Sequence, residues 1–395
     1  MDRHPQRWRI LALLSVAELL GMSLWFTASA SAPHFQARWG LDPAQSGWLT
    51  TMVQLGFVCG TAAAALLNIA DTMPARWYFA SCALLGAAAN AGLVIAGSYR
   101  SALVLRFLTG AFLAGVYPPA MKMIATWFRS ARGLAIGTVV GALTIGKATP
   151  YLVHALEAAD TETVIQTASI GALIAAALVA WGYREGPFPF ERRGFDWNQV
   201  GVVLRDRKTR LAIAGYLGHM WELYAMWTWI PAFLAASLAL QGAAGAAQRG
   251  ADLMAFGAIA AGGLGCLWGG YQADRIGRER LVNLALAASG ACSLLIGAFF
   301  GASPWLLAAV VWVWGFFVVA DSAQFSALVT EVTPPHAVGT ALTLQVSLGF
   351  LLTMASIQLL PPLVEVVGWR WAFMILCLGP AGGIAAIQRL GLLRR

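Results

Sequence analysis

The groups in this chain that could do chemistry are ionisable side chains set inside long apolar runs. Glu18 stands in Glu18-Leu19-Leu20-Gly21-Met22-Ser23-Leu24-Trp25. The pattern returns 204 positions later as Glu222-Leu223-Tyr224-Ala225-Met226-Trp227-Thr228-Trp229. At helical spacing, positions i, i+4 and i+7 share a face, so each copy aligns its Glu, Met and Trp. An ionisable group in an apolar run is costly and functional by default, which makes Glu18 and Glu222 candidates to carry a proton or touch a substrate. The alternative is a hydrogen-bonded glutamate that pins neighbouring helices.

Other polar residues join them. His219 lies three residues before Glu222, on the same face, and histidine titrates near physiological pH. It reads as a proton relay or as a packed histidine bonded to a carbonyl. A His/Glu pair also suggests a metal, but no third ligand stands at a suitable spacing, so no metal or cofactor is expected. Arg106 and Lys147 are the cations of the first half: arginine can grip a carboxylate with two bonds and lysine offers a point charge. Both could bind an anionic substrate, and both could instead neutralise Glu18 or a cluster of carbonyls. Lys122, near the end of its run, reads as a snorkelling residue. Asp321 and Gln324, three apart among small serines, suggest a wet helix face. Tyr117, Gln54, Gln345 and Gln358 are weaker candidates, more often interhelical hydrogen bonds than ligands. Trp25 and Trp221 stand out among the 17 tryptophans only because they flank the glutamates. The expected substrate contacts are therefore Arg106, Lys147, Trp25, Tyr117, Trp221 and Gln324. The expected proton carriers are Glu18, His219, Glu222 and Asp321.

The elements that must position these residues are membrane helices. Of 395 residues, 59% are hydrophobic and 11% charged, against about a quarter charged in a soluble domain. Apolar segments of about 20 residues are long enough to span. Twelve are expected, near 9–31, 46–68, 76–97, 101–126, 133–155, 163–184, 211–236, 252–271, 280–301, 304–329, 338–362 and 370–391. The first, with Arg3, Arg7 and Arg9 before it and Ala28-Ser29-Ala30-Ser31-Ala32 at its end, has the outline of a signal peptide. Glu18 interrupts the core such a peptide needs and the run is long enough to cross, so it is retained as a helix. The five cysteines lie in apolar segments with no C-x-x-C pair and read as packing residues.

The net charge of +8 does not point to nucleic acid, because no Lys/Arg block is interleaved with aromatics on a soluble domain. With the N-terminus inside, nineteen Lys and Arg fall in inner connections and four (Arg38, Arg100, Arg249 and Arg370) in outer ones. That asymmetry places both termini in the cytoplasm. The longest polar connection, 185–210, splits the chain into 1–184 and 211–395. Ala70-Asp71 returns as Ala273-Asp274 and Gly137-Thr138 as Gly339-Thr340, at offsets of 203 and 202. Repeats at nearly one offset mark a duplication, a pattern of secondary transporters whose site lies between the halves.

The stretch Gly270-Tyr271-Gln272-Ala273-Asp274-Arg275-Ile276-Gly277-Arg278-Glu279-Arg280 resembles the Gly-x-x-x-Asp-Arg-x-Gly-Arg-x-Arg signature of the major facilitator superfamily. Its counterpart in the first half, from Leu67 to Trp77, keeps Asp71 but loses the glycines and arginines. Arg106-Phe107-Leu108-Thr109-Gly110 with Gly115 is similar to the family's fourth-helix pattern. Trp127-Phe128, Arg132-Gly133 and Gly137 resemble the start of its fifth helix. The resemblance implies an all-α membrane protein of twelve transmembrane helices in two pseudo-symmetric six-helix bundles. It also implies that the first and seventh helices line a central cavity. A cytoplasmic gate is implied at Asp71, Asp274, Arg275 and Arg278, with Glu331 as the carboxylate Arg278 can pair with.

No phosphate-cradling loop and no soluble lobe for an ATPase is present, so an ion gradient or the solute's own gradient must drive transport. The expectation is a non-enzymatic, monomeric carrier in a bacterial inner membrane, surrounded by lipid. It would import a small polar, anionic organic solute with protons (sodium being the alternative ion). The rival is a proton-driven exporter of amphipathic cations or metabolites. Against it, Gly141 to Pro150 lacks a Gly-Pro pair and carries Lys147. A sensor or intramembrane enzyme would want an output domain or a nucleophile–base set, and neither is evident.

Overall fold

The computed structural model describes residues 4–67, 69–129, 131–156, 160–188, 196–241 and 244–394. Among them the structure is helical, with no strand. Among the described residues ten helices are long and apolar enough to cross a membrane. The two expected spans that fall short are those carrying Glu18 and Glu222. The first is interrupted after Met22, and the seventh, Arg207–Ala239, is diluted by His219, Glu222 and its tryptophans. With these two the chain has twelve spanning segments, and its fold is the expected twelve-helix, all-α one.

The chain forms two compact units, Met1–Arg192 and Arg193–Arg395. In the first, the first span runs Arg7–Met22, turns through residues 23–26 and resumes as Thr27–Ala30 before a short helix, Ala32–Trp39. The second span is Pro43–Leu66, started by an Asp42/Gln45 capping box. The third is Ala75–Ala91, tightening into a 3-10 turn at Gly92–Ile95. The fourth is Tyr99–Leu113 and Tyr117–Ala125, the fifth Arg132–Ala155 and the sixth Thr161–Gly182. In the second unit, a short amphipathic helix, Trp197–Arg205, precedes the seventh span. The eighth is Ala244–Ile276 and the ninth Arg278–Leu295 with a 3-10 turn at Ile296–Phe299. The tenth is Pro304–Ala320 and Ser322–Val332. The eleventh is Val338–Val367, and the twelfth runs through Trp369–Ala372 and a 3-10 turn to Leu378–Arg394.

The most extensive packing pairs of one unit have counterparts in the other. The second packs on the fourth as the eighth does on the tenth, and the first on the fifth and sixth as the seventh does on the eleventh and twelfth. The third packs on the fourth and sixth as the ninth does on the tenth and twelfth. Without a hydrophobic drive between helices in lipid, such pairs depend on small residues that let backbones touch. A Cβ on Gly110 would run into the Val53 carbonyl, and one on Gly315 into that of Ala258. Likewise a Cβ on Gly60 would meet the Ala111 carbonyl, and one on Gly265 that of Phe316. All four positions of each pair are related by one offset, 205 residues.

Two details depart from the expected outline. The Gly270–Arg280 stretch is not a loop: the eighth helix continues to Ile276, only Gly277 breaks it with φ +88°, and the ninth begins at Arg278. Asp274 and Arg275 thus sit in the last turn of a helix. The seventh span begins at Arg207, inside the expected connection, because Asp206 caps it by accepting from Thr209 N at 2.7 Å.

Candidate functional site

In the first unit the functional side chains gather around the interruption of the first span. Trp25 N still bonds Met22 O, but the turn takes the Leu24 and Trp25 carbonyls out of the regular helical ladder. Arg106, fully buried on the fourth span, supplies their donors. Its Nη1 donates to Leu24 O at 3.0 Å, Thr27 Oγ1 at 3.0 Å and Asn90 Oδ1 at 3.2 Å. Its Nε donates to Leu49 O at 3.3 Å, and its Nη2 to Trp25 O. Thr27 Oγ1 donates to Asn90 Oδ1, whose amide nitrogen donates to Ser169 Oγ at 3.0 Å and Ile165 O at 3.2 Å. One guanidinium thus ties the first, second, third and fourth spans together, with the sixth joined through Asn90. Every acceptor it meets is neutral.

Lys147, on the fifth span, is elsewhere. Its Nζ lies 4.3 Å from the centre of the Trp25 ring, a cation–π contact, and its charge acts on Glu18. Glu18 is 0% exposed, and neither carboxylate oxygen has a hydrogen-bond donor among the described residues. Gly146 makes this juxtaposition possible, since a Cβ there would collide with the Leu19 carbonyl. The first unit therefore brings Glu18, Lys147 and the Trp25 ring together, while Arg106 bonds the Trp25 carbonyl on the backbone. Tyr117 opens the lower half of the fourth span and is half-buried.

In the second unit, Glu222 is 1% exposed and well partnered. Ser289 Oγ of the ninth span donates to Oε2 at 2.7 Å, and Trp314 Nε1 of the tenth to Oε1 at 2.8 Å. One turn back, His219 Nδ1 lies 2.9 Å from Asp321 Oδ1, and both side chains are 1% exposed. That is ion-pair distance, although the angle is not that of a hydrogen bond. The imidazole lies near the rings of Phe325, at 5.2 Å, and Tyr216, at 6.1 Å. Asp321 holds this place because the tenth span is interrupted there. Gln324, its expected companion, bonds it only through the backbone, Gln324 N donating to Asp321 O at 2.8 Å. Trp221 packs against the twelfth span, its Nε1 donating to Ile375 O at 3.3 Å.

Gln324 instead joins a cluster where the ninth span begins and the tenth and twelfth end. Its Oε1 accepts from Arg278 Nη1 at 2.7 Å, while Arg278 Nε reaches Glu331 Oε1, also at 2.7 Å. Arg394 bridges Glu331 at 3.2 Å and Glu279 at 3.0 Å, so the ninth, tenth and twelfth spans share one network. These groups are about a third exposed, where each pair contributes at most about 1 kcal/mol. Such a network can open. Asp274 is exposed, and the Arg275 guanidinium lies 4.0 Å from the Tyr271 ring centre. The Asp71 side chain lies outside the described residues.

Several of these partners were not foreseen from sequence. Asn90 is an amide in the middle of an apolar run and was visible as such. Ser289 and Trp314 carry no signal by themselves, and the carboxylate–arginine cluster with Arg394 depends on two distant helix ends meeting. Among the described residues no group of His, Cys, Asp and Glu has the arrangement to hold a metal ion.

Solved structures share this architecture. A crystal structure of a variant of the nucleoside transporter NupG superposes with a TM-score of 0.71 at 16% identity, covering 96% of this chain and 99% of that one. A bacterial homologue of the human lysosomal transporter Spinster, solved inward-facing both unoccupied and occupied, matches with a TM-score of 0.66 at 15% identity. That match covers 99% of this chain and 96% of the other. No curated protein matches by sequence. A sequence profile of the Major Facilitator Superfamily, however, matches residues 13–267, well over half of the length. The chain belongs to the major facilitator superfamily and is a multi-pass membrane transporter.

Proposed function

We propose that this transporter moves a small polar, anionic organic solute together with protons, by alternating access of the bundles 1–184 and 211–395 joined by 185–210. It acts as a monomer in a bacterial inner membrane. The observation that carries the coupling is the His219–Asp321 contact: a base and an acid 2.9 Å apart, both 1% exposed, with Glu222 one turn away. Groups so placed change charge only when a proton comes or goes, and a carrier uses that change to bias one state over another. Lys147 is the attractive point for the solute's negative charge, with Trp25 as its platform and Glu18 as the neighbouring acid. Arg106 serves the fold here, because its donors are directed at backbone carbonyls and neutral side chains. Arg278, Glu331 and Gln324 belong to the inner gate.

The test is accumulation into proteoliposomes under an imposed proton gradient, using a panel of labelled organic acids. Nucleosides belong in the panel because one structural neighbour is a nucleoside transporter. Asp321→Asn is expected to abolish accumulation while solute exchange without a gradient persists. Parent-like accumulation by both Asp321→Asn and Glu222→Gln, from about pH 5 to 8, would falsify the coupling assignment. A second reading, export of amphipathic cations, is favoured by Glu18, whose two oxygens have no hydrogen-bond donor. Broad resistance to dyes and cationic drugs on expression, without acid uptake, selects that one.

A further inference from the structure

Beyond the transport pathway, the first unit carries a cationic cleft where the first and sixth spans come together at the end that bears the N-terminus. A cavity of about 120 Å³ is lined by Gln6, Arg9, Ile10, Trp181, Gly182 and Arg184. The spans approach closely there, since a Cβ on Gly182 would strike Leu13. Neither guanidinium nor the Gln6 carboxamide has a partner among the described residues, so three side chains offer unused donors to one small space.

The cleft is held rather than formed by chance. Trp127 Nε1 donates to Arg184 O at 3.1 Å, fixing the chain just after the sixth span. The N-terminal side of the cleft is pinned by Arg7, whose guanidinium lies 5.0 Å from the Trp8 ring and 5.6 Å from that of Phe128. Trp181 closes one side with 82% of its surface exposed, at the end of a spanning helix where an indole meets lipid headgroups. Two unpaired arginines, an amide and an interfacial tryptophan beside lipid have the donors a phosphodiester needs. A zwitterionic lipid would bring its own ammonium toward the same two cations, which disfavours it.

We propose that the Arg9/Arg184/Gln6 cleft binds the phosphate of one anionic phospholipid, with Trp181 against its glycerol and upper acyl chain. The test is native mass spectrometry of the full chain taken from phosphatidylcholine nanodiscs containing phosphatidylglycerol. The unmodified protein and an Arg280→Gln control, equal in charge loss to one site change, should retain phosphatidylglycerol. Arg9→Gln combined with Arg184→Gln should retain roughly tenfold less or lower. Equal retention by the double variant overturns the proposal. Displacement of the lipid by excess inorganic phosphate also overturns it, by making the cleft a site for soluble anions. A photoactivatable phosphatidylglycerol on the unmodified protein gives an independent readout. Label within residues 6–10 or 181–184 is expected, and label confined to other segments refutes the assignment.

Discussion

Arg106 shows how one side chain can look like a ligand and act as a brace. Its planar fork reaches acceptors on three sides at once: Leu49 O through Nε, Leu24 O, Thr27 Oγ1 and Asn90 Oδ1 through Nη1, and Trp25 O through Nη2. A lysine keeps the charge but cannot span those directions. Arg106→Lys is therefore expected to leave one or more buried carbonyls unsatisfied, costing about 3 kcal/mol. The measurement is thermal unfolding in detergent, where a lowered midpoint unrelieved by any solute is expected. A variant as stable as the parent would refute the bracing role. The residue type and its setting in an apolar run were legible in the sequence, including a carbonyl cluster as one possible partner. Which partner it takes was not legible. The interruption at residues 23–26 has no proline, and only the fold brings Asn90 and Leu49 to it.

At the scale of the helix, the duplication is recorded less in the polar residues than in the contacts between backbones. Gly110 on Val53 and Gly60 on Ala111 recur as Gly315 on Ala258 and Gly265 on Phe316. Gly110→Ala is expected to force the second and fourth spans apart and destabilise the first unit by roughly 2 kcal/mol, a typical cost of overpacking. Gly201→Ala, on the short amphipathic helix with nothing within 4 Å of the new methyl, should instead be neutral or stabilising by up to about 1 kcal/mol. Paired thermal melts decide it, and similar shifts for the two would mean that close approach is not what Gly110 provides. The lengths of most spans could be read from hydropathy, because apolar runs of that size have one stable solution in lipid. The interruptions at 23–26, 114–116 and 321 could not; at 23–26 a side chain from another helix, Arg106, supplies the bonds that the chain withdraws. They also explain an asymmetry between the halves. The seventh span is unbroken and needs no arginine beneath it, and at an offset of 205 from Arg106 the second half has Val311.

For the whole molecule, the distribution of charge argues for one orientation. Nineteen basic residues in the connections on one side against four on the other is the imbalance that holds loops in the cytoplasm during insertion. Under that orientation the Arg278–Glu331–Arg394–Glu279 network and the Arg9/Arg184 cleft face the cytoplasm, while Arg38 and the helix Ala32–Trp39 face outward. The expectation can be checked in intact cells with a membrane-impermeant maleimide, after the five native cysteines are replaced by serine. Arg38→Cys should label without permeabilisation, and Arg280→Cys only after it. The reverse pattern would turn the transporter over, place the exposed ion-pair network at the outer surface and require the gate assigned to it to be an outer gate. Labelling of both from outside would require an even number of crossings between them, where spans two to eight make seven. That would contradict the twelve-span count somewhere between the second and the eighth span.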